Sequence, residues 1–213
     1  MSSLDSSPST LPLVIINGLG APRPAALFYA HYFRKAGRRT FVARQKHLYY
    51  GDVRNSARMV ARQVDEARDR TGEAKVQLVG MSLGGLLGYY YLACLGGAEQ
   101  VECFVSVGAP LNGAPVANLG LLPPLSVLPA IAQCRPGSEI LREIHSAPPI
   151  RGPRLYSVGA RGDALTPKGV WDAPGFEAVA SDHGCFPVGH WMLFTHDVNK
   201  EIVLRLLDGR NGG

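Results

Sequence analysis

The sequence predicts an α/β fold in which a mostly parallel sheet of about six strands is covered by helices on both faces. Short β-branched runs alternate with segments of helical spacing along most of the chain, which is typical of parallel sheets. The length of 213 residues suits one domain. With 46% hydrophobic and 18% charged residues, the composition excludes a disordered chain or a coiled coil.

The first four elements follow from strand and helix patterns in turn. Residues 13–16 form a β-branched run that ends at an Asn-Gly pair, which predicts a buried strand. Residues 24–36 have helical spacing, and residues 40–43 predict a second strand. Residues 54–70 place apolar side chains on one side and charges on the rest, so we expect an amphipathic helix.

The remaining elements continue this alternation after one long interruption. Apolar runs predict the strands, and the apolar third helix ends at two glycines, a common helix stop. In order, the chain predicts a strand at 75–80, a helix at 83–95, strands at 101–107 and 155–158, a weaker strand within 176–188 and a helix at about 197–208.

Two segments lie outside the alternation. Residues 1–10 form a polar tail that we expect to be disordered, before a single domain over residues 11–213. The insertion at about 110–152 holds eight of the 16 prolines and a leucine-rich stretch. It is too broken for a long helix and too apolar for a plain loop. A lid over an apolar pocket and a second small core patch are both consistent with it.

The net charge of +5 does not by itself indicate a polyanion partner. Residues 1–75 hold 13 Lys/Arg against 6 Asp/Glu, whereas the rest of the chain holds 9 against 11. No aromatic ladder or nucleic-acid motif accompanies the basic residues, so we expect a solvated basic face and no nucleic-acid partner. No apolar run approaches the roughly 20 residues of a membrane span, which predicts a soluble protein. The tail lacks the regions of a signal peptide, which predicts a cytoplasmic location.

The cysteines and histidines show no spacing typical of a metal site. There is no C-x-x-C pair and no H-E-x-x-H segment, so we expect neither a metal nor an organic cofactor. Cys94 and Cys103 lie in apolar stretches and are expected to be small core residues. The spacing of the cysteines gives no support for a disulfide, and the sequence does not indicate an oligomeric state.

The strongest chemical signal is the G-x-S-x-G segment Gly80–Gly84, which lies between a predicted strand and a predicted helix. A nucleophilic serine on such a sharp turn needs small neighbours, because the backbone is strained and closely packed. The following helix start supplies free N–H groups and a positive dipole end for a developing oxyanion. The segment therefore predicts Ser82 as the nucleophile and the Leu83 N–H as an oxyanion donor.

A serine nucleophile needs a base and an acid that orients the base, and in this topology both follow the serine in the chain. Asp163 stands just past the predicted strand at 155–158, where it is a candidate acid or simply a turn residue. Asp172 and Asp182 are the competing acids.

Three late histidines are candidate bases. His190 lies directly ahead of the predicted final helix and is the preferred base, with His183 second. His196 is expected to begin or cap that helix. The loop after the first strand, residues 17–20, is expected to supply the second oxyanion donor through the Leu19 N–H.

These segments resemble the α/β-hydrolase superfamily, and within it the bacterial lipases and esterases. VIINGLG is similar to the strand and oxyanion loop, VQLVGMSLGGLLGYYY to the nucleophile turn, and SVGAPLNGAP with RPGSEILREI to the segment that opens the lid. SVGARGDALTP and VGHWMLFTHDV are similar to the acid and histidine loops. The family's oxyanion-loop histidine is Asn17 here. The chain begins near the family's third strand, which suggests a minimal six-stranded form.

The resemblance implies a serine carboxyl-ester hydrolase that cleaves small-molecule acyl esters through an acyl-enzyme on Ser82, with His190 and Asp163 as its partners. The same three residues would serve a thioesterase or an acyltransferase, and a non-catalytic binding protein is a third alternative. The leucine-rich insertion would suit contact with a lipid interface.

Overall fold

The computed structural model describes residues 11–44, 49–121, 128–186 and 188–209. The tail expected at residues 1–10 lies outside them. Six parallel strands form one sheet in the order β2-β1-β3-β4-β5-β6. The strands are β1 (Leu13–Ile16), β2 (Thr40–Val42), β3 (Val76–Met81), β4 (Val101–Val107), β5 (Arg154–Ala160) and β6 (Glu177–Ser181). The prediction of a parallel sheet of about six strands is confirmed.

Helices cover both faces of this sheet, as predicted. They are α1 (Arg23–Lys35), α2 (Val53–Thr71), α3 (Leu83–Cys94), α4 (Pro129–Gln133), α5 (Glu139–Ser146), α6 (Gly189–Thr195) and α7 (Asp197–Leu207). Helices α1, α6 and α7 share one buried cluster with the sheet, and α2 to α5 share the other.

The side chains of β1 alternate between the two faces of the sheet, so its continuous apolar run contributes to both buried clusters. Leu13 and Ile15 pack with α1 and α7, whereas Val14 and Ile16 pack with α2 and α3. Successive side chains of a strand point to opposite faces, so a strand buried on both sides is apolar at every position.

The C-terminal helical region differs from the prediction of one helix. A separate α6 precedes α7, and His196 between them is extended, with φ −76° and ψ 130°. His190 therefore lies in the first turn of α6 and not in a loop. Seven residues, most of them bulky and apolar, are too few to show helical periodicity, which explains why the sequence pattern does not separate α6 from its surroundings.

The described part of the insertion packs against the α2–α3 side of the sheet. Its buried side chains belong to the same cluster as those of α2 and α3: Leu111, Ala114, Ala117, Ala130, Cys134, Ile140, Leu141 and Ile144. Residues 122–127, its central leucine- and proline-rich part, lie outside the described residues. The lid at 110–152 therefore stays a prediction.

All four cysteines are free thiols, with Cys103 buried and Cys94 half-buried beside the α2–α3 cluster. Across the described ranges, no helix combines the length and the apolar character that a membrane span requires.

Candidate active site

The predicted functional residues gather at the carboxyl-terminal edge of the sheet. Ser82 follows β3, Asn17 follows β1 and Asp163 follows β5, while His190 comes from α6. Parallel strands end at the same edge, and this is where α/β sheets usually place their sites. The topology thus brings together side chains that lie far apart in the chain.

Ser82 occupies the sharp turn between β3 and α3 in a conformation that is unusual for a residue with a side chain. Its φ is +51° and its ψ is −123°. Such backbone conformations cost roughly 1–3 kcal/mol. A Cβ at Gly80 would lie 2.5 Å from the Gly84 carbonyl oxygen, and a Cβ at Gly84 would lie 2.4 Å from the Ile16 oxygen. The turn therefore requires glycine on both sides of the serine.

Ser82, His190 and Asp163 form a continuous chain of hydrogen bonds. The Ser82 Oγ lies 3.0 Å from His190 Nε2, and His190 Nδ1 lies 2.8 Å from Asp163 Oδ2. With its proton on Nδ1, His190 donates to the carboxylate and its Nε2 accepts from the serine hydroxyl. Both His190 and Asp163 are buried. The structure thus brings together the three side chains that the sequence indicates.

Four hydrogen bonds hold the buried Asp163 carboxylate. The Leu165 and Thr166 N–H groups donate to Oδ1, each at 2.8 Å, and the Thr166 hydroxyl donates to Oδ2 at 2.6 Å, beside the bond from His190. Burial alone would raise the pKa of this carboxyl, but the donors from His190 and Thr166 outweigh it and lower the pKa below its usual range. Asp163 is therefore both a turn residue and the partner of His190.

The competing acids and bases lie apart from this chain of hydrogen bonds. Asp172 is exposed, and Asp182 pairs with Arg161 at the surface. The His183 side chain is exposed, and His196 forms the N-cap of α7.

The loop that carries Asp163 and the start of α6, which carries His190, contact each other through glycine backbone. A Cβ at Gly189 would lie 2.8 Å from the Gly162 carbonyl carbon. Behind this contact, the buried Asn199 side chain donates to the Met192 carbonyl oxygen at 2.7 Å and accepts from Ser181. These contacts fix α6, and with it His190, relative to the Asp163 loop.

The loop after β1 lies directly against the serine turn. A Cβ at Gly18 would lie 3.1 Å from the Ser82 Cβ. The buried Asn17 amide donates to the Ala21 carbonyl oxygen at 3.0 Å, which closes the loop on itself. The backbone N–H groups of Leu19 and Leu83 donate to no protein group within the described ranges. Both residues line a cavity next to Ser82.

Two cavities open beside Ser82 and His190. The larger has a volume of about 680 Å³ and the smaller about 230 Å³. The described residues that line the larger one include no Lys, Arg, Asp or Glu and are Asn17, Gly18, Leu19, Gly20, Ala21, Pro22, Ala25, Phe28, Tyr29, Tyr50, Met81, Ser82, Leu165, His190, Trp191, Phe194 and Thr195. This composition suits an uncharged apolar ligand.

Exposed apolar side chains surround these openings. Phe28 and Trp191 line the larger cavity and are 62% and 58% exposed, and the half-exposed Val116 lines the smaller one. Phe186 and Val188, just ahead of α6, are also exposed. A group of exposed apolar residues at a cavity mouth is typical of a surface that contacts an apolar ligand or phase.

Among the described residues, no group of His, Cys, Asp and Glu side chains could hold a metal ion. The arrangement can instead activate a hydroxyl by transferring its proton to an imidazole that a buried carboxylate orients.

Comparisons with known proteins support the fold. A family model described as lecithin:cholesterol acyltransferase matches residues 53–122, about a third of the chain. The Bacillus licheniformis lipase BlEst2 in its mature form superposes with a TM-score of 0.77 at 18% identity, covering 96% of this chain and 94% of that one. No curated protein sequence matches.

Two further solved structures agree with this result. The phospholipase PlaB of Legionella pneumophila has a TM-score of 0.73 at 11% identity, covering 93% of this chain and 60% of that one. The α/β hydrolase MGS-MChE2, from a sediment metagenome of the Mar Chica lagoon, has a TM-score of 0.61 at 20% identity, covering 94% and 90%. The chain has the α/β-hydrolase fold, and the predicted resemblance to bacterial lipases and esterases is confirmed at the level of fold.

Proposed function

We propose that this protein is a serine hydrolase that cleaves carboxyl esters with an apolar acyl part. The hydrogen-bonded chain from Ser82 through His190 to Asp163, placed on a strained turn, is the observation that carries the proposal. Similarity in fold to a lipase and a phospholipase supports the same class of chemistry.

The reaction would proceed in two halves. In the first, Ser82 Oγ attacks the ester carbonyl carbon while His190 Nε2 accepts the hydroxyl proton, and the oxyanion receives hydrogen bonds from the Leu19 and Leu83 N–H groups. His190 then returns the proton to the alcohol oxygen as the ester bond breaks, leaving an acyl-enzyme. In the second half, water repeats these steps, and the acid is released. Asp163 holds His190 with its proton on Nδ1 and stabilises the imidazolium that forms.

The uncharged larger cavity indicates the class of substrate. Phosphate or carboxylate groups buried there would find no Lys or Arg among the described lining residues, and desolvating an unpaired charge is costly. We infer that the acyl part is neutral and apolar, and that the aromatic side chains at the cavity mouth contact it.

A direct experiment tests the assignment of the nucleophile. A fluorophosphonate probe should label Ser82 in the wild-type protein, as found by peptide mass spectrometry, and the protein should turn over p-nitrophenyl esters. Failure of both would favour a non-catalytic binding protein on this fold.

Acyl transfer to an alcohol is the second candidate function. The match of residues 53–122 to an acyltransferase family model favours it, because this segment contains Ser82. Transfer and hydrolysis share the acyl-enzyme and differ only in the acceptor. Product analysis in the presence of a competing alcohol separates them, since a transferase forms the new ester in preference to the free acid.

A neutral ester should be a better substrate than a charged thioester of the same acyl chain. We expect kcat/KM for p-nitrophenyl octanoate to exceed that for octanoyl-CoA by at least about tenfold, because the described lining of the larger cavity offers no Lys or Arg to the phosphates. Parallel initial-rate measurements check this. A preference for the CoA thioester would instead support the thioesterase alternative.

Asn17→Ala should lower kcat for p-nitrophenyl octanoate by about tenfold with little change in KM. The substitution removes the amide that closes the loop on Ala21, so the Leu19 N–H is no longer held in place for the oxyanion. Steady-state kinetics measures both constants. Asn55→Ala, which truncates an exposed asparagine on α2, is the matched control. An increase in KM alone would indicate that Asn17 acts on substrate binding.

A further inference from the structure

Thr166 lies at the junction of three parts of the site. Its hydroxyl is 2.6 Å from Asp163 Oδ2, 3.2 Å from the Gly108 carbonyl oxygen and 3.4 Å from His190 Nδ1. The residue is only 3% exposed. None of the sequence motifs indicates a function for it.

The hydroxyl carries one proton and therefore makes one strong donation. The carboxylate oxygen is both the nearer acceptor and the charged one, so the proton goes to Asp163 and not to Gly108. Asp163 Oδ2 then accepts from two side chains at once, Thr166 and His190. These are the two side-chain donors to this carboxylate within the described residues.

The backbone of Thr166 adds a second contact to the same group. Its N–H donates to Asp163 Oδ1 at 2.8 Å, beside the Leu165 N–H. Thr166 thus contacts both carboxylate oxygens, through its backbone on one side and its hydroxyl on the other. The backbone contact survives a change of side chain, whereas the hydroxyl contact does not.

We propose that Thr166 is a positioning residue whose hydroxyl holds Asp163 Oδ2 in line with His190 Nδ1. This inference rests on the proposed function, because it concerns the alignment of the same hydrogen-bonded chain. Without the hydroxyl, Oδ2 has one side-chain partner and the carboxylate can turn about the two backbone bonds to Oδ1. His190 then loses the alignment that directs its Nε2 at Ser82.

The test compares Thr166→Val with Thr166→Ser. We expect Thr166→Val to lower kcat by about 10- to 100-fold with KM nearly unchanged. Thr166→Ser keeps the hydroxyl and should restore kcat to near wild type. A purely structural role would change stability without this split between kcat and KM and without rescue by serine.

Thr71→Val is the control, because it removes a hydroxyl bonded to the Ala67 carbonyl oxygen at the end of α2, which leads into the start of β3 whereas Ser82 follows its end. Thermal unfolding of each variant checks that it is folded. Wild-type kcat in a folded Thr166→Val would overturn the inference. Equal loss in the Ser and Val variants would overturn it too. If wild type itself neither reacts with the fluorophosphonate nor turns over esters, the proposed function fails instead.

Discussion

Ser82→Ala is expected to lower kcat/KM for p-nitrophenyl octanoate by about 10⁴- to 10⁶-fold, and His190→Ala by a similar factor. The first substitution removes the proposed attacking oxygen, and the second removes the proposed base, whose Nε2 lies 3.0 Å from that oxygen. The two residues act as a unit, so the double variant should lose little more than either single one. Burst and steady-state kinetics with purified protein measure the loss.

His183→Ala is the matched control for the base. The His183 side chain is exposed, and the contacts of this residue with Ser181 and Asn199 use its backbone. The variant should therefore keep near wild-type turnover. If His183→Ala abolished activity while His190→Ala did not, the assignment of the base would be wrong. Wild-type turnover by Ser82→Ala would remove the nucleophile from the mechanism.

Asp163→Asn should lower kcat by about 10⁴-fold while the protein stays folded. An amide can donate to His190 Nδ1, which would move the histidine proton to Nε2 and leave Ser82 facing a donor in place of a base. Steady-state rates at the pH optimum measure the effect. Asp172→Asn, at an exposed acid that also follows β5 in sequence, is the control. Equal losses in both variants would contradict the assignment.

The same variant should also change stability in acid. The pKa of Asp163 is lowered in the folded protein, so the carboxylate contributes stability that is complete above its unfolded pKa of about 3.9 and is lost as the pH falls through its folded value. An amide at this position does not titrate and makes no such contribution. The fall in Tm below about pH 4 should therefore be shallower for Asp163→Asn than for wild type, and a steeper fall would contradict the sign.

Much of the fold could be predicted because local patterns agree with the tertiary structure. Each predicted strand from β1 to β5 ends within two residues of its observed position, since β-branched runs buried on both faces have few other solutions. The serine turn could also be predicted. Close packing at positions 80 and 84 requires glycine, and this requirement appears in the sequence as the G-x-S-x-G pattern.

Other parts of the site depend on contacts that no local pattern records. Thr166 lies three positions after Asp163. A hydroxyl residue at this spacing from an aspartate is common in ordinary turns. The approach of the Thr166 hydroxyl to His190 depends on how the Asp163 loop, at Gly162, packs against the start of α6, at Gly189. The spacing Asp-x-x-Thr was the available signal, and it shows only the turn. Asn199, likewise, is one polar residue in a helix, and only the structure shows its contacts with Met192 in α6 and with His183 ahead of α6.

The positive φ of Ser82 affects which substitutions evolution is expected to favour at this position. Glycine adopts that conformation without penalty, so selection for folding alone would favour glycine at this position. A serine kept there holds the protein below the stability that its own sequence could reach. If the proposed function holds, copies of the gene that no longer need hydrolysis are expected to lose the serine early, because a glycine there removes the cost of the positive φ.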